Sequence, residues 1–493
     1  MKDDYFKPGY ERSIIAIFSI IIFSFILRFY QLSFFEFKND QLQAIICGDQ
    51  TRNVGFLITH GLGSGVGVSN PQLFLWFMGL VTFFTHDPLA ITAVFTVFNL
   101  CALCLAIRYF YLYLPLTYAL LASIFLAFSP AFTVYSNIIW AQCLLPLVMV
   151  LFNFNLYRFI KEERAGRYFL GLTILACLAA QLHMSGFFLF PVLLILTLIH
   201  RDKVKAKTLF LSLIIALIIF LPYLVHLFRE GEFARVYAYG ALAKRHVYWK
   251  LFREHLRMSS FDFFRYYFRE DFNQVLKSSA GPLRYILYPF SCLLIGFFVF
   301  SFLSYLSWLA RSRAFFNLSP ETLKKYPLPF QISGFLIFII SASYLIFKVQ
   351  TPMHYFIILF PSYSIFLSFC AYRLWQYRLG RYIVFLALTS TILLMLAVFV
   401  FLERSGGHPR EYGLSYRQLL IYRKDINGLM KKGECPAVKI EFKGKGKSDT
   451  EAALYAITGI SLCGKNYTPV PVSLTVNWDK ELMRYERTIK IGK

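Results

Sequence analysis

Arg158-Phe-Ile-Lys-Glu-Glu-Arg-Ala-Gly-Arg167 is followed by an uncharged stretch, 168–200, and then by Arg201-Asp-Lys-Val-Lys-Ala-Lys207. The uncharged stretch is long enough for one tilted membrane helix, since a crossing takes about 20 apolar residues. A single crossing would set the two basic clusters on opposite sides of the bilayer. Lys and Arg of short loops instead collect on the cytoplasmic side. The polar tip Gln181-Leu-His-Met-Ser185 resolves the conflict. It divides the stretch into two short spans, 168–182 and 184–200, that return the chain to the side it left.

Outward from this pair, apolar runs at 13–34, 88–107, 113–135, 138–157, 208–228, 283–310, 329–348, 355–372 and 382–402 read as further spans. With the N-terminus cytoplasmic, Arg108, Arg158–Arg167, Arg201–Lys207, Arg311–Lys325 and Arg373–Arg381 all fall on the same side. One more run, 71–85, lies between Pro71 and His86-Asp-Pro88. Counted as a span, it would move every later basic cluster outside. It is expected to be re-entrant or juxtamembrane, which is tolerated where protein or a water-filled cavity covers it.

Composition agrees. The chain is 57% hydrophobic and only 16% charged, against about 25% charged in a soluble domain. That excludes an ordinary soluble protein. The net charge of +24 would raise the question of nucleic acid, but no basic-aromatic nucleic-acid module is visible. The basic residues sit in short loops, where they set topology and meet anionic lipid. The expected architecture is an all-α polytopic membrane protein of about eleven spans over 1–402. Its outer loops are 35–87 and 229–282, and a small extracytoplasmic α/β domain follows over 403–493. In that tail, helices are expected at 416–431 and 450–460 and strands at 437–442 and 471–476. Cys435 and Cys463 lie there, either as a disulfide or as two free thiols. The expected location is the cytoplasmic (inner) membrane.

The outer side carries the candidate chemistry. Asp40, in Phe35-Glu-Phe-Lys-Asn-Asp-Gln-Leu-Gln43, can accept a proton from a hydroxyl or hold a cation; the alternative is a solvated loop acid. Asp49 is a second acid nearby. Gly61-Leu-Gly-Ser-Gly-Val-Gly-Val-Ser-Asn-Pro71 lets a backbone approach a ligand but lacks the ending of a phosphate-binding P-loop. Asn137, Trp140 and Gln142 fall at the outer end of one span, and Gln181 and His183 at another. A histidine at membrane depth marks either a functional site or an interhelical hydrogen bond. The loop 229–282 is basic on the side where basic residues are unusual. Its stretch Phe261-Asp-Phe-Phe-Arg-Tyr-Tyr-Phe-Arg269 suits a helix in the interface. Arginine grips phosphate in a bidentate fork, so the stretch suits either a lipid-phosphate ligand or an anchor without one.

An acid just beyond the first span, a Gly/Ser-rich stretch leading to Pro71, and a basic outer loop after the seventh span together resemble the GT-C glycosyltransferases. The nearest likeness is to bacterial relatives of protein O-mannosyltransferase and of the lipid A aminoarabinose transferase. Ile139-Trp-Ala-Gln-Cys-Leu-Leu-Pro146, Gln181-Leu-His183, and Thr351-Pro-Met-His-Tyr-Phe356 with Pro361 are similar to stretches of that family. Asp40-Gln41 matches its Asp-Glu pair at the first position only.

The resemblance implies an inverting transferase working on a polyprenyl-phosphate-linked sugar, with Asp40 as general base. Asp49, Asn137, Gln142, His183, Arg245, Arg253, Arg257, His354 and Tyr355 would bind substrate. The acceptor would be a glycan, lipid or protein. A divalent metal (Mg or Mn) would need a second acidic ligand, and none is evident beside Asp40. A transporter or flippase of an amphipathic substrate is the alternative. It would favour polar groups in mid-span and repeated halves, whereas here they gather at the outer ends.

Overall fold

The computed structural model describes residues 10–54, 58–63, 69–162, 165–232, 247–347, 352–409, 412–429, 434–443, 450–458, 468–479 and 483–491. Among the described residues, eight helices are long and apolar enough to cross a membrane, and four more apolar helices are shorter. Each run expected to span coincides with helical structure, but several are broken. Ser129-Pro130 interrupts one pair, where Ser129 caps the six-residue helix Pro130–Tyr135 by accepting from Phe132 N–H. A 3-10 turn, Met184–Phe188, separates Gly166–Leu182 from Leu189–Ile199. Another, Met353–Leu359, leads into Phe360–Trp375. The last two breaks adjoin or contain the polar residues His183 and His354.

The basic loops meet one another at the opposite end. Arg158 Nε donates to Tyr113 Oη at 3.1 Å, and Lys203 Nζ to the Ile160 carbonyl at 2.8 Å. His200 packs on Phe316 with ring centres 6.0 Å apart. Arg373 Nη2 reaches the Lys325 carbonyl at 2.6 Å. The loops thus form a continuous layer, as topology set by charge requires.

The run 71–85 forms the helix Leu73–Phe84. Its 12 residues extend only about 18 Å, short of the roughly 30 Å hydrocarbon layer. It pairs instead with Asn39–Val54. The crossing is tight because Gly48 sits against Met78, whose Cβ would lie 2.7 Å from an added side chain. Leu80, Phe83 and Phe84 remain exposed on the far side. Asp87 then caps the next helix, Pro88–Tyr113, with proline in its first turn.

The tail beyond the last long helix, Arg378–Ser405, is the expected mixture of helix and strand. Two short strands, β1 (Gly407–His408) and β2 (Gly413–Leu414), pair antiparallel. Strands β3 (Glu434–Lys443) and β4 (Thr468–Asp479) pair in parallel, and β5 (Arg484–Ile491) pairs antiparallel with β4. A parallel pair needs a crossover, which contains the helix Thr450–Thr458. The helix Tyr416–Gly428 starts at Ser415, which accepts from Gln418 N–H. The tail is tied to the segment after the first span. Tyr416 N–H donates to the Phe35 carbonyl at 3.0 Å, Tyr412 Oη donates to the Phe34 carbonyl, and Arg417 lies over the Phe34 ring. Cys463 and the side chain of Cys435 lie outside the described residues.

Candidate active site

A cavity of about 1280 Å³ opens on the polar end of the bundle. Its walls come from segments far apart in sequence: the helix Asn39–Val54, the strip 58–63, Ile139–Gln142, Leu182–His183, Tyr266, Arg269 and 352–355.

Asp40 lies on one wall, in the first turn of Asn39–Val54, where the positive end of the helix dipole favours a carboxylate. Gln41, next to it, is fully buried, and its Oε1 accepts from Lys38 N–H at 2.9 Å. Gln41 therefore caps the helix that carries Asp40. Asp40, Gln43, Cys47 and Gln50 all line the cavity. Their spacing of three, four and three places them on one helical face, while Leu42, Ala44 and Ile45 are buried on the other.

The opposite wall is a cluster of rings. Trp140 and His354 have centres 5.4 Å apart, His354 and Tyr355 5.0 Å, and His183 and Tyr355 4.9 Å. His183 is buried at the turn between two short helices. That turn is tight because Gly186 lies against the backbone of Ala179 and Ala180, leaving no room for a Cβ. Ser185 N–H donates to His183 Nδ1 at 3.2 Å. A backbone N–H only donates, so Nδ1 accepts and the ring proton sits on Nε2. Burial, aided by His354, pushes the His183 pKa down to about 3. His183 is therefore a neutral hydrogen-bond donor rather than an acid or base near pH 7.

Among the described residues two cations reach the cavity, Lys38 and Arg269. Lys38 Nζ is held by Glu36 Oε2 at 3.0 Å, and Glu36 is buried. Arg269 has a φ of 47°, a backbone state that costs a non-glycine residue energy and clusters at functional sites. His60 lines the rim and stacks on His226, ring centres 4.1 Å apart. Nε2 of His226 is 3.9 Å from Glu232 Oε1, and Glu232 accepts from both Ser69 N–H and Ser69 Oγ. The Gly/Ser-rich strip is thereby tied to the end of the helix Ala206–Arg229.

Of the residues anticipated from the sequence, Asp40, Gln142, His183, His354 and Tyr355 line this cavity. Asn137 does not. Its Nδ2 donates to the Arg28 carbonyl at 3.0 Å and its Oδ1 accepts from Thr96 Oγ1 at 2.9 Å, which fastens three spans together. Asp49 lies off the cavity, 2.8 Å from His86 Nε2. Arg253 and Arg257 also lie off it, both paired with Glu254 at 3.1 and 3.2 Å. Arg245 lies outside the described residues. The stretch 261–269 is not an interfacial helix: Phe263, Phe264, Tyr267 and Phe268 are buried in protein. Lys38, Gln43, Gln50 and His60 were not singled out from the sequence, and Arg269 entered only as the end of the stretch 261–269. The signal for Gln43 and Gln50 was their helical spacing from Asp40. Among the described lining residues Asp40 is the one carboxylate. Among all described residues no three His, Cys, Asp or Glu converge as a metal site. The described residues thus do not supply the paired carboxylates that Mg or Mn would take.

Residues 69–226 match the family of dolichyl-phosphate-mannose-protein mannosyltransferases. The resemblance drawn from the residues is borne out over that stretch, which includes Trp140, Gln142 and His183. The fold is also similar to the crystal structure of ArnT from Cupriavidus metallidurans bound to undecaprenyl phosphate. That match covers 93% of each chain at 12% identity and a TM-score of 0.48. No curated protein matches the chain.

Proposed function

We propose that the protein is an integral membrane glycosyltransferase that moves a sugar from a polyprenyl-phosphate carrier to an acceptor hydroxyl on the outer face of the cytoplasmic membrane. The observation that carries this reading is the meeting, in one cavity, of Asp40, the cations Lys38 and Arg269, and the ring wall of Trp140, His183, His354 and Tyr355. The family match over 69–226 supplies the chemical class.

The acceptor oxygen attacks the anomeric carbon while Asp40 takes its proton. The bond from that carbon to the phosphate oxygen breaks as the new one forms, so the configuration inverts. The polyprenyl phosphate leaves as an anion and needs little help from an acid. Lys38 and Arg269 stabilise the charge that grows on it. His183 donates Nε2–H to a substrate oxygen and stays neutral throughout. The rings give the sugar an apolar face to rest on.

The test supplies proteoliposomes with polyprenyl-phospho-sugars carrying a labelled sugar and follows the label to the acceptor. Asp40→Asn, inserted normally, should lose transfer by about 10²–10⁴-fold while still retaining the donor. Full transfer by that variant would remove Asp40 from the reaction and with it this mechanism.

A further inference from the structure

A second pocket, of about 290 Å³, lies where the helix Arg378–Ser405 ends beneath the tail. Its floor is apolar, made by Ala397, Val400 and Phe401. Its rim is polar and basic, made by Ser278 and Ser279 from the helix Phe272–Ala280, by Arg404, and by Arg484 at the start of β5.

Below the pocket the same helix exposes an apolar track. Leu386, Leu393 and Val400 are 39%, 46% and 37% exposed. They recur every seven residues, which holds them to one face, and Ala397 and Arg404 continue it upward. A soluble protein would bury such a track, and here it faces the place where acyl chains lie. At its top the chain changes from hydrocarbon-compatible to phosphate-compatible within one helical turn.

The two arginines are available to a ligand. Glu403, the acid beside Arg404, is committed to Tyr30 Oη at 2.6 Å and Arg417 Nη1 at 2.7 Å. Arg484 meets Glu486 Oε1 at 3.2 Å in a pair half open to solvent, and such surface pairs are weak. Met483, just before Arg484, has a φ of 51° and buries its side chain in the pocket wall. That turn presents Arg484 to the rim.

We propose that this pocket binds the phosphate headgroup of an anionic membrane phospholipid. The phosphate sits between Arg404 and Arg484, the Ser278 hydroxyl donates to one of its oxygens, and one acyl chain follows Val400, Leu393 and Leu386. Basic pockets beside membrane helices take such headgroups, and the arginine fork suits phosphate. The lipid then joins the tail to the last span, apart from the Asp40 cavity and independently of the transfer reaction.

Native mass spectrometry of the delipidated full-length protein tests this. Phosphatidylglycerol, phosphatidylcholine and inorganic phosphate are offered separately. Wild type should retain phosphatidylglycerol about tenfold better than phosphatidylcholine. Arg404→Gln/Arg484→Gln should lose that preference. Val400→Trp, which keeps both charges but blocks the track, should weaken retention of phosphatidylglycerol. Equal retention of the two lipids by wild type, or an unchanged preference in the charge variant, overturns the proposal. So does retention of inorganic phosphate without the lipid, which would mark an anion site and not a lipid site. If the charge variant fails to fold, an unchanged result with Val400→Trp overturns it alone.

Discussion

The side-chain oxygen of Asn39 accepts a hydrogen bond from Ala452 N–H at 3.0 Å. Ala452 lies in the first turn of the helix Thr450–Thr458, where backbone N–H groups have no partner within the helix. A residue 413 positions away in sequence therefore caps this helix, and that residue is the neighbour of Asp40. The tail thus helps to hold the helix that carries the proposed base. Asn39→Ala should cost about 1 kcal/mol, the usual worth of such a cap, seen as a lower unfolding temperature. Removing the tail after residue 405 should leave a membrane-inserted protein whose transfer falls at least about tenfold, since small displacements of a catalytic group are costly. Full activity of the truncated protein would mean the contact is only decorative for the reaction.

His183 should behave as a donor and not as a proton carrier. His183→Gln keeps an N–H near the position of Nε2, so transfer should stay within about tenfold of wild type. His183→Ala removes the donor and should cost more, about 10–100-fold, in keeping with the loss of a hydrogen bond to a charged or developing-charge group. The pH profile of turnover should keep its shape in both variants. Steady-state rates between pH 5.5 and 8.5 check this, and a limb of the profile that vanishes with His183 would contradict it.

The two cations of the cavity should matter more for the donor than the arginines beside Glu254. Arg269→Ala and Lys38→Ala should each raise the donor KM and lower kcat/KM by about 10–100-fold, the effect of deleting one charge-assisted contact to phosphate. Arg253→Ala should change little, because its partner Glu254 keeps Arg257. Equal losses for Arg253 and Arg269 would return the donor site to the outer helix Val247–Met258.

The membrane architecture was legible because a bilayer writes itself into sequence as long uncharged runs with one-sided basic loops. The parity argument at 168–200 led to the turn that carries His183. The internal pairing of the outer-loop arginines has a cause also present in the sequence. Arg257 and Arg265 each follow an acid by three residues, and both pairs close in the structure, at 3.2 and 2.7 Å. That spacing favours internal pairing on a helix. Asn137 looked like a binding residue because a polar group at a span's end suits both a cavity and an interhelical bond. Only the positions of Thr96 and the Arg28 carbonyl separate the two. The strand β5 went unread because its alternating side chains are largely exposed and give little apolar signal. No short-range pattern foretells that Arg269 and Lys38 share a cavity, since they lie 231 positions apart in the numbering and only the tertiary fold joins them.

Acid should destabilise the protein through His183. Its folded pKa, about 3, lies below the ordinary 6.5 because burial opposes the charge. Above pH 6.5 the imidazole is neutral in both states and contributes nothing to the pH dependence. Below 6.5 the unfolded chain takes up a proton that the native site refuses, so stability falls as the pH drops toward 3. The slope approaches about 1.4 kcal/mol per pH unit for one such group. The His60 pKa is also lowered, by burial and by His226, so it acts in the same direction. Its contribution is smaller, because solvent in the cavity mouth screens it. Thermal unfolding in lipid nanodiscs from pH 7.5 to 5.0 should show a steady fall in wild type. His183→Gln, which cannot titrate, should make that fall shallower by about one group's share over the same range, while His354 and His255, whose pKa values burial lowers to about 4 and about 3, keep the rest. A slope unchanged by the substitution would mean that His183 takes up its proton in the folded state, and the neutral donor role would fail with it.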